Sequence, residues 1–224
     1  MSLRKVMKEM KKTASIFLVI ILLLSISGCG KSPVLPPVRN ATRRMWLNYD
    51  QNITFENIYS KAVAVVRIKI GDWLGEDKEH AITFYQAEVL EYLKGSIPKT
   101  FTFLQNGCST STVDGYPLLT YGNELLVFLY ESTREGYDYE DIYGNIGSYL
   151  TVFDVSYDKN GNRYYGARRG LFVGTWGIPH NYIYNDAVYK EFLDTITAKD
   201  PIYSELKFSH IFAEEDIKNL MANQ

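Results

Sequence analysis

Gly30-Lys31-Ser32 has the form of the closing triplet of a phosphate-binding loop, the first place in this 224-residue chain where residue type and spacing could do chemistry. Such a loop needs Gly, four residues, then Gly-Lys-Ser/Thr between a strand and a helix, so that backbone amides wrap the phosphates. The first Gly would stand at position 25, which is Ser25; a long apolar run precedes, and Pro33 and Pro36-Pro37 follow. Proline breaks a helix and disfavours it in the preceding residue, so no helix N-terminus can face a phosphate here. Nucleotide binding is set aside.

Other reactive residues are scattered. Cys108 could act as a nucleophile if a His and a carboxylate came near it; the plainer expectation is a part-buried small residue in a loop. His80, His180 and His210 show no ligand spacing, so no metal site is expected. Asp158-Lys159-Asn160-Gly161-Asn162 opens like a calcium loop, but Arg163 takes the sixth position and Arg169 the twelfth, which fails the EF-hand pattern. Glu135, Asp138, Glu140 and Asp141 cluster in an expected loop, as a solvated acidic loop, a weak calcium site or a source of hydrolytic carboxylates. Gly-x-Ser-x-Gly is absent. Thirteen of the 18 tyrosines fall between Tyr116 and Tyr189, with Phe172 and Trp176 among them. Strand propensity and packing account for such a set; so does an aromatic face for a glycan, a peptide or a partner protein. Tyr164, Tyr165, Phe172 and Trp176 are the candidate ligand-binding residues on the second reading.

The elements that must position these residues begin after an export signal. Residues 1–12 carry five basic side chains against Glu9, and Ile16–Leu24 is apolar without a break. That core is shorter than the roughly 20 residues a spanning helix needs. Its end, Ile26-Ser27-Gly28-Cys29, resembles a bacterial lipobox. The resemblance implies cleavage before Cys29 and diacylation of its thiol, two chains being what stable anchoring requires. The expected location is therefore the cell membrane, lipid-anchored, on its extracytoplasmic face, with 1–28 as the signal peptide and 29–45 as lipidated Cys and flexible tether. An uncleaved anchor, or an ordinary signal with Cys29 incidental, is the alternative.

Removing the five basic residues and one acid of the signal leaves 19 Lys and Arg against 25 Asp and Glu, a net charge of −6. An acidic surface argues against nucleic acid as partner, and also against anionic lipid headgroups as a binding target, since no basic cluster is present. With Cys29 lipidated, Cys108 has no disulfide partner, and the remaining 196 residues must hold together through a core.

A helix is predicted from Phe55 to Ala62, followed by strands. Over Lys61–Ile70, Ala64, Val66, Ile68 and Ile70 share one face. Ala81–Leu93 alternates until Glu91 breaks the phase, as a bulge would. Thr100–Gln105 places Phe101 and Phe103 together. Asn123–Tyr130 is apolar on both faces, hence covered on both. Asn160-Gly161 predicts a hairpin between Tyr149–Tyr157 and Arg163–Ala167. Helical spacing returns over Asp186–Thr197 and Ala213–Met221.

Three of these pieces, Ser60–Ile68, Tyr85–Gly95 and Tyr121–Leu129, resemble in their order a group of uncharacterised secreted bacterial proteins and lipoproteins. More distantly they are similar to the netrin-like domain of tissue inhibitors of metalloproteinases. The resemblance covers about residues 55–130 and implies an OB-type barrel. Protease inhibition does not transfer, because that mechanism uses a free, disulfide-bonded N-terminal Cys. The expectation is a mostly β protein: an OB-like five- to six-stranded bent barrel over 46–178, and a helical extension over 179–224 with one or two packing helices. Its expected role is a non-enzymatic binding module at the cell envelope, without cofactor, partnered by the membrane through Cys29 and by a cell-wall glycan or envelope protein. An envelope-polymer hydrolase and an extracellular protease inhibitor are the competing classes.

Overall fold

Alternation over 64–70 and the phase break near Glu91 demand two long paired strands with extra residues between them. The computed structural model describes residues 32–39, 43–45, 54–113, 116–133, 136–147, 151–168, 186–206 and 208–222. The described elements lie in the unit Pro33–Gln224. In chain order they are β1 (Arg43–Met45), α1 (Phe55–Lys61), β2 (Ala64–Asp77), β3 (Ile82–Gly95), β4 (Thr100–Asn106), β5 (Ser111–Val113), β6 (Glu124–Glu131), β7 (Ile142–Asn145), β8 (Phe153–Tyr157), β9 (Arg163–Ala167), α2 (Asp186–Lys199), a 3-10 turn (Pro201–Glu205), β10 (His210–Ala213) and α3 (Glu214–Ala222).

β2 pairs antiparallel with β3 and with β6, β3 with β4, and β6 with β7, while β4 and β7 run parallel. Those pairings close a five-stranded barrel with OB topology. Closure needs strongly bent strands, and bulges supply the bend. The β2–β3 register slips between Val65 and Val66, between Arg67 and Ile68, and twice between Ile70 and Gly75. Arg67 faces Glu91 and Ile68 faces Val89, so the skipped residue is Leu90, beside the expected break.

The interior is filled by Ala64, Val66, Ile68 and Ile70 of β2, Tyr85, Ala87 and Val89 of β3, Phe101 and Phe103 of β4, and Leu125, Val127 and Leu129 of β6. The other face of β6, Leu126 and Phe128, packs with Phe55 and Ile58 of α1, so β6 is covered on both sides as its sequence requires. α1 forms because Thr54 caps it, its hydroxyl accepting from the Asn57 amide, and because Phe55 and Ile58 share its buried face.

β6 also branches the sheet. Leu129–Glu131 pairs with β7 to close the barrel, whereas Leu125 and Leu126 pair with β8. From there β8, β9 and β10 extend as an antiparallel wing. The Asn-Gly hairpin is present: Asp158 accepts from the Asn160 and Asn162 amides and closes the turn. The C-terminal segment therefore supplies a strand as well as helices, because the outer edge of β9 is open and β10 fills it. α2 and the 3-10 turn cover one face of the wing; α1 and α3 cover the other. Among the described residues no helix is long and apolar enough to cross a membrane.

One boundary is corrected. Residues up to 45 read as a tether, yet from Val34 onward the described part is docked. β2 is longer than β6, whose pairing with it ends at Lys69–Glu124, and the edge beyond is left open. The N-terminal strap, residues 33–39, occupies that edge: the Trp73 amide donates to the Val34 carbonyl at 2.8 Å, and the Val34 amide to Asp72 Oδ1 at 2.9 Å. The Leu118 amide donates to the Arg39 carbonyl at 2.7 Å. The Arg39 guanidinium donates to the Leu118 carbonyl and, in bidentate fashion, to Asp200 at 2.8 and 2.7 Å. β1 then pairs parallel with β5. Prolines remove periodicity, but an extended chain keeps its other amides and carbonyls, and those bind the open edge.

Candidate functional site

With the apolar residues of β2, β3 and β4 turned inward, the opposite parity faces out. On β3 this face carries Phe84, Gln86 and Glu88, and on β4 Leu104, Thr102 and Thr100. The upper part of that outer face is closed. Ile82, Phe84, Leu104 and Ile142 pack together under Tyr137 and Tyr139 of the β6–β7 loop, whose rings lie 4.8 Å from that of Phe84. The Tyr137 hydroxyl donates to Asp77 Oδ2 at 2.6 Å, and His80 Nδ1 lies 2.7 Å from the same oxygen. The Tyr137 hydroxyl, then the His80 amide and ring, hold the Asp77 carboxyl well below the ordinary carboxylate range.

The lower part is open. Lys69 pairs in register with Glu88, and Glu88 with Thr100, which sets a cation, a carboxylate and a hydroxyl in one row across three strands. With Gln86, Gly71 and Tyr121 they line a groove of about 210 Å³. Lys99 Nζ stands 3.5 Å from Glu88 Oε1 at its edge. Gly71 leaves the floor open, since a Cβ there would sit a tight 3.1 Å from the Gln86 carbonyl oxygen.

Tyr121 is 49 % exposed and rides on a pinned turn. The Gly122 amide donates to the Ile70 carbonyl at 2.8 Å, the Ile70 amide to the Asn123 carbonyl at 2.9 Å, and the Thr120 amide to Asn123 Oδ1 at 2.9 Å. Gly122 takes φ +88°, a conformation that favours glycine. Tyr121 also borders a second cleft of about 250 Å³ between this turn, Val155 and the end of α2, lined by Asn123, Lys199, Asp200 and Tyr203. Burial pushes the Asp200 carboxyl up, and the Arg39 guanidinium more than reverses this, leaving it below its ordinary value.

Charges beside the groove are engaged in structure. Arg67 donates to Glu91 and Glu124, Tyr157 donates to Glu124 at 2.9 Å, and Arg163 donates to Glu91 and Glu214. Burial, then the bond to Glu124, raises the Tyr157 hydroxyl above its usual range. In the wing Arg168 is paired with Asp154, both side chains 1 % exposed. Tyr203 donates to Asp154 at 2.7 Å, and Tyr116 to the Arg168 carbonyl at 2.5 Å.

Of the residues expected from sequence to bind a ligand, Tyr164 and Tyr165 are described, and they pack on opposite faces of the wing. Tyr165 is fully buried against α1 and α3 and offers no surface to a ligand, because strand alternation turns it into the core. Tyr164 points to the other face of the wing and packs, part-buried, with Phe192 of α2 and its neighbours. Phe172, Trp176, His180, Glu135 and Cys29 lie outside the described residues. Asp138, Glu140 and Asp141 are exposed to solvent. Cys108 is buried and free, its sulfur 3.2 Å from Thr110 Oγ1. His210 is stacked on Phe212. Among the described residues no group of three His, Cys, Asp or Glu could hold a metal ion. Sequence reasoning counted Tyr121 only among the clustered tyrosines and passed over Gln86 and Glu88; the signal for the last two was the polar parity of β3.

The arrangement offers ammonium, amide and hydroxyl donors, carboxylate and amide acceptors, and one exposed ring. That set suits a neutral, polyhydroxylated ligand better than an ion. Compared with known protein families, with curated proteins and with solved structures, this chain matches none.

Proposed function

We propose that this protein is a non-enzymatic binding module of the cell envelope, held on the outer face of a membrane through lipid on Cys29, and that its ligand is a cell-wall glycan. The observation that carries the reading is the groove formed by the Lys69–Glu88–Thr100 row with Gln86 and Tyr121. It lies on the strand face through which OB barrels take oligosaccharides and oligonucleotides. The acidic balance of the mature chain disfavours the second of these. A sugar ring stacked on Tyr121 would place its hydroxyls against Gln86, Glu88 and Thr100.

The test is calorimetric titration of soluble cell-wall glycan fragments into the mature protein and into a Gln86→Ala/Tyr121→Ala variant. Binding by the parent and its loss in the variant are expected. No binding by the parent, or equal affinity in both, overturns the glycan reading.

A further inference from the structure

We propose that the N-terminal strap is a membrane-seating edge, on which Val34, Leu35 and Val38 face the lipid of the leaflet that anchors the protein. The inference rests on the reading of Cys29 as the lipidated residue and goes beyond it, because an anchor alone leaves the orientation of the barrel free.

Three observations carry it. Among the described residues seven large hydrophobic side chains are exposed, and three of them, Val34 at 49 %, Leu35 at 52 % and Val38 at 46 %, fall within five residues. Single exposed apolar residues are ordinary, whereas a cluster calls for a covering surface. A fourth, Leu74 at 40 %, adjoins Trp73, whose amide bonds the Val34 carbonyl. The strap also cannot fold these side chains inward: Pro36 is buried, and Val34 and Arg39 are bonded on either side of it.

Chain length names the occupant. Val34 is five residues after Cys29, a reach of no more than about 18 Å at full extension. Headgroups take up about 5–8 Å of that. A barrel docked from Val34 onward therefore sits against the bilayer rather than at the end of a free tether. The charge of this stretch fits: residues 30–45 hold four of the mature chain's 19 basic residues and none of its 25 acids. Arg39 is spent on Asp200; Lys31, Arg43 and Arg44 lie near the anchor in sequence, too few for a basic cluster but of the sign an anionic leaflet attracts. The acidic remainder of the chain is repelled by the same surface, which reinforces one orientation.

The acylated full-length mature protein, carrying a Cys108→Ser change, is reconstituted into vesicles containing acyl-chain nitroxide lipid. A bimane probe is attached at Leu35→Cys or, as control, at Asn160→Cys on the exposed β8–β9 hairpin. Palmitate incorporation is measured on the same samples. The Leu35 probe is expected to be quenched several-fold more strongly than the Asn160 probe. Equal quenching of the two in acylated protein overturns the seating edge while leaving the anchor intact. A blue-shifted but unquenched Leu35 probe assigns the patch to a protein partner or a second copy and likewise overturns it. Absence of palmitate removes the anchor reading itself, and the inference with it.

Discussion

Arg39→Ala should free the strap without unfolding the barrel. Arg39 makes three hydrogen bonds, one to the Leu118 carbonyl and two to the Asp200 carboxylate. Its side chain is 20 % exposed and that of Asp200 7 %, so the substitution leaves a nearly buried carboxylate without its counter-charge. Breaking a fully buried pair costs about 3–5 kcal/mol. Because Arg39 is partly solvated, about 2–3 kcal/mol is the appropriate range, close to one or two charge-assisted hydrogen bonds. At about 1.4 kcal/mol per decade this raises the open population of the strap about 30- to 150-fold. Two amides report on it: Trp73, which donates to Val34, and Leu118, which donates to Arg39. Hydrogen exchange followed by NMR should show both accelerating by that factor. Amides of the β3–β4 pairing, such as Tyr85 and Phe103, should hold their rates. Asp200→Asn should give a smaller acceleration, since an amide still accepts from the guanidinium. Unchanged exchange at Trp73 and Leu118 in Arg39→Ala, or random-coil exchange at both in the parent, would show that the segment is a tether after all.

Asp154→Ala should cost about 3–5 kcal/mol in urea unfolding, because it strands Arg168 in the core; an Asp154→Leu/Arg168→Met double variant should recover most of that loss. Tyr165→Ala should cost about 3–5 kcal/mol through cavity formation and leave glycan affinity per folded molecule unchanged; lost affinity at full folding would return Tyr165 to the site. Burial lowers His210 from its ordinary 6.5, so the unfolded chain binds its proton first and stability is lost as pH falls from 6.5 toward the folded-state value. Thermal melts from pH 7 to 5 should show this decline, and His210→Gln should flatten it. The lowered carboxyls of Asp77, Asp200 and Glu214 add a second loss as pH falls below their ordinary 3.8 to 4.5. Cys29→Ala should abolish palmitate labelling; equal labelling of variant and parent removes the anchor.

Much of the fold was legible because it rests on short-range pattern. Alternation over Ala64–Ile70 and the apolar character of both faces of Leu125–Leu129 follow from which side chains must be dry, and β2 and β6 obey both. The Asn-Gly turn is local backbone chemistry. The lost phase at Glu91 announced a bulge, which falls at Leu90. The strap was not legible. Its prolines carry no period, and the edge it fills exists only because β6 pairs no further along β2 than Lys69.

For the site the division is sharper. The sequence alone determined that β3 alternates as far as Glu91, and that an unusual number of tyrosines had to be placed. It could not say which tyrosines are core. Tyr164 and Tyr165 are neighbours in sequence, yet the wing has covered layers on both faces and buries each against a different one. Nor could it bring Lys69, Glu88 and Thr100 into one row, since that alignment depends on two strand registers and on where the bulges fall. Only tertiary structure decided that Tyr121 stands between a groove and a cleft. Side-chain parity is written into the chain two residues at a time, whereas register is the outcome of a competition among whole strands, settled by closing the barrel.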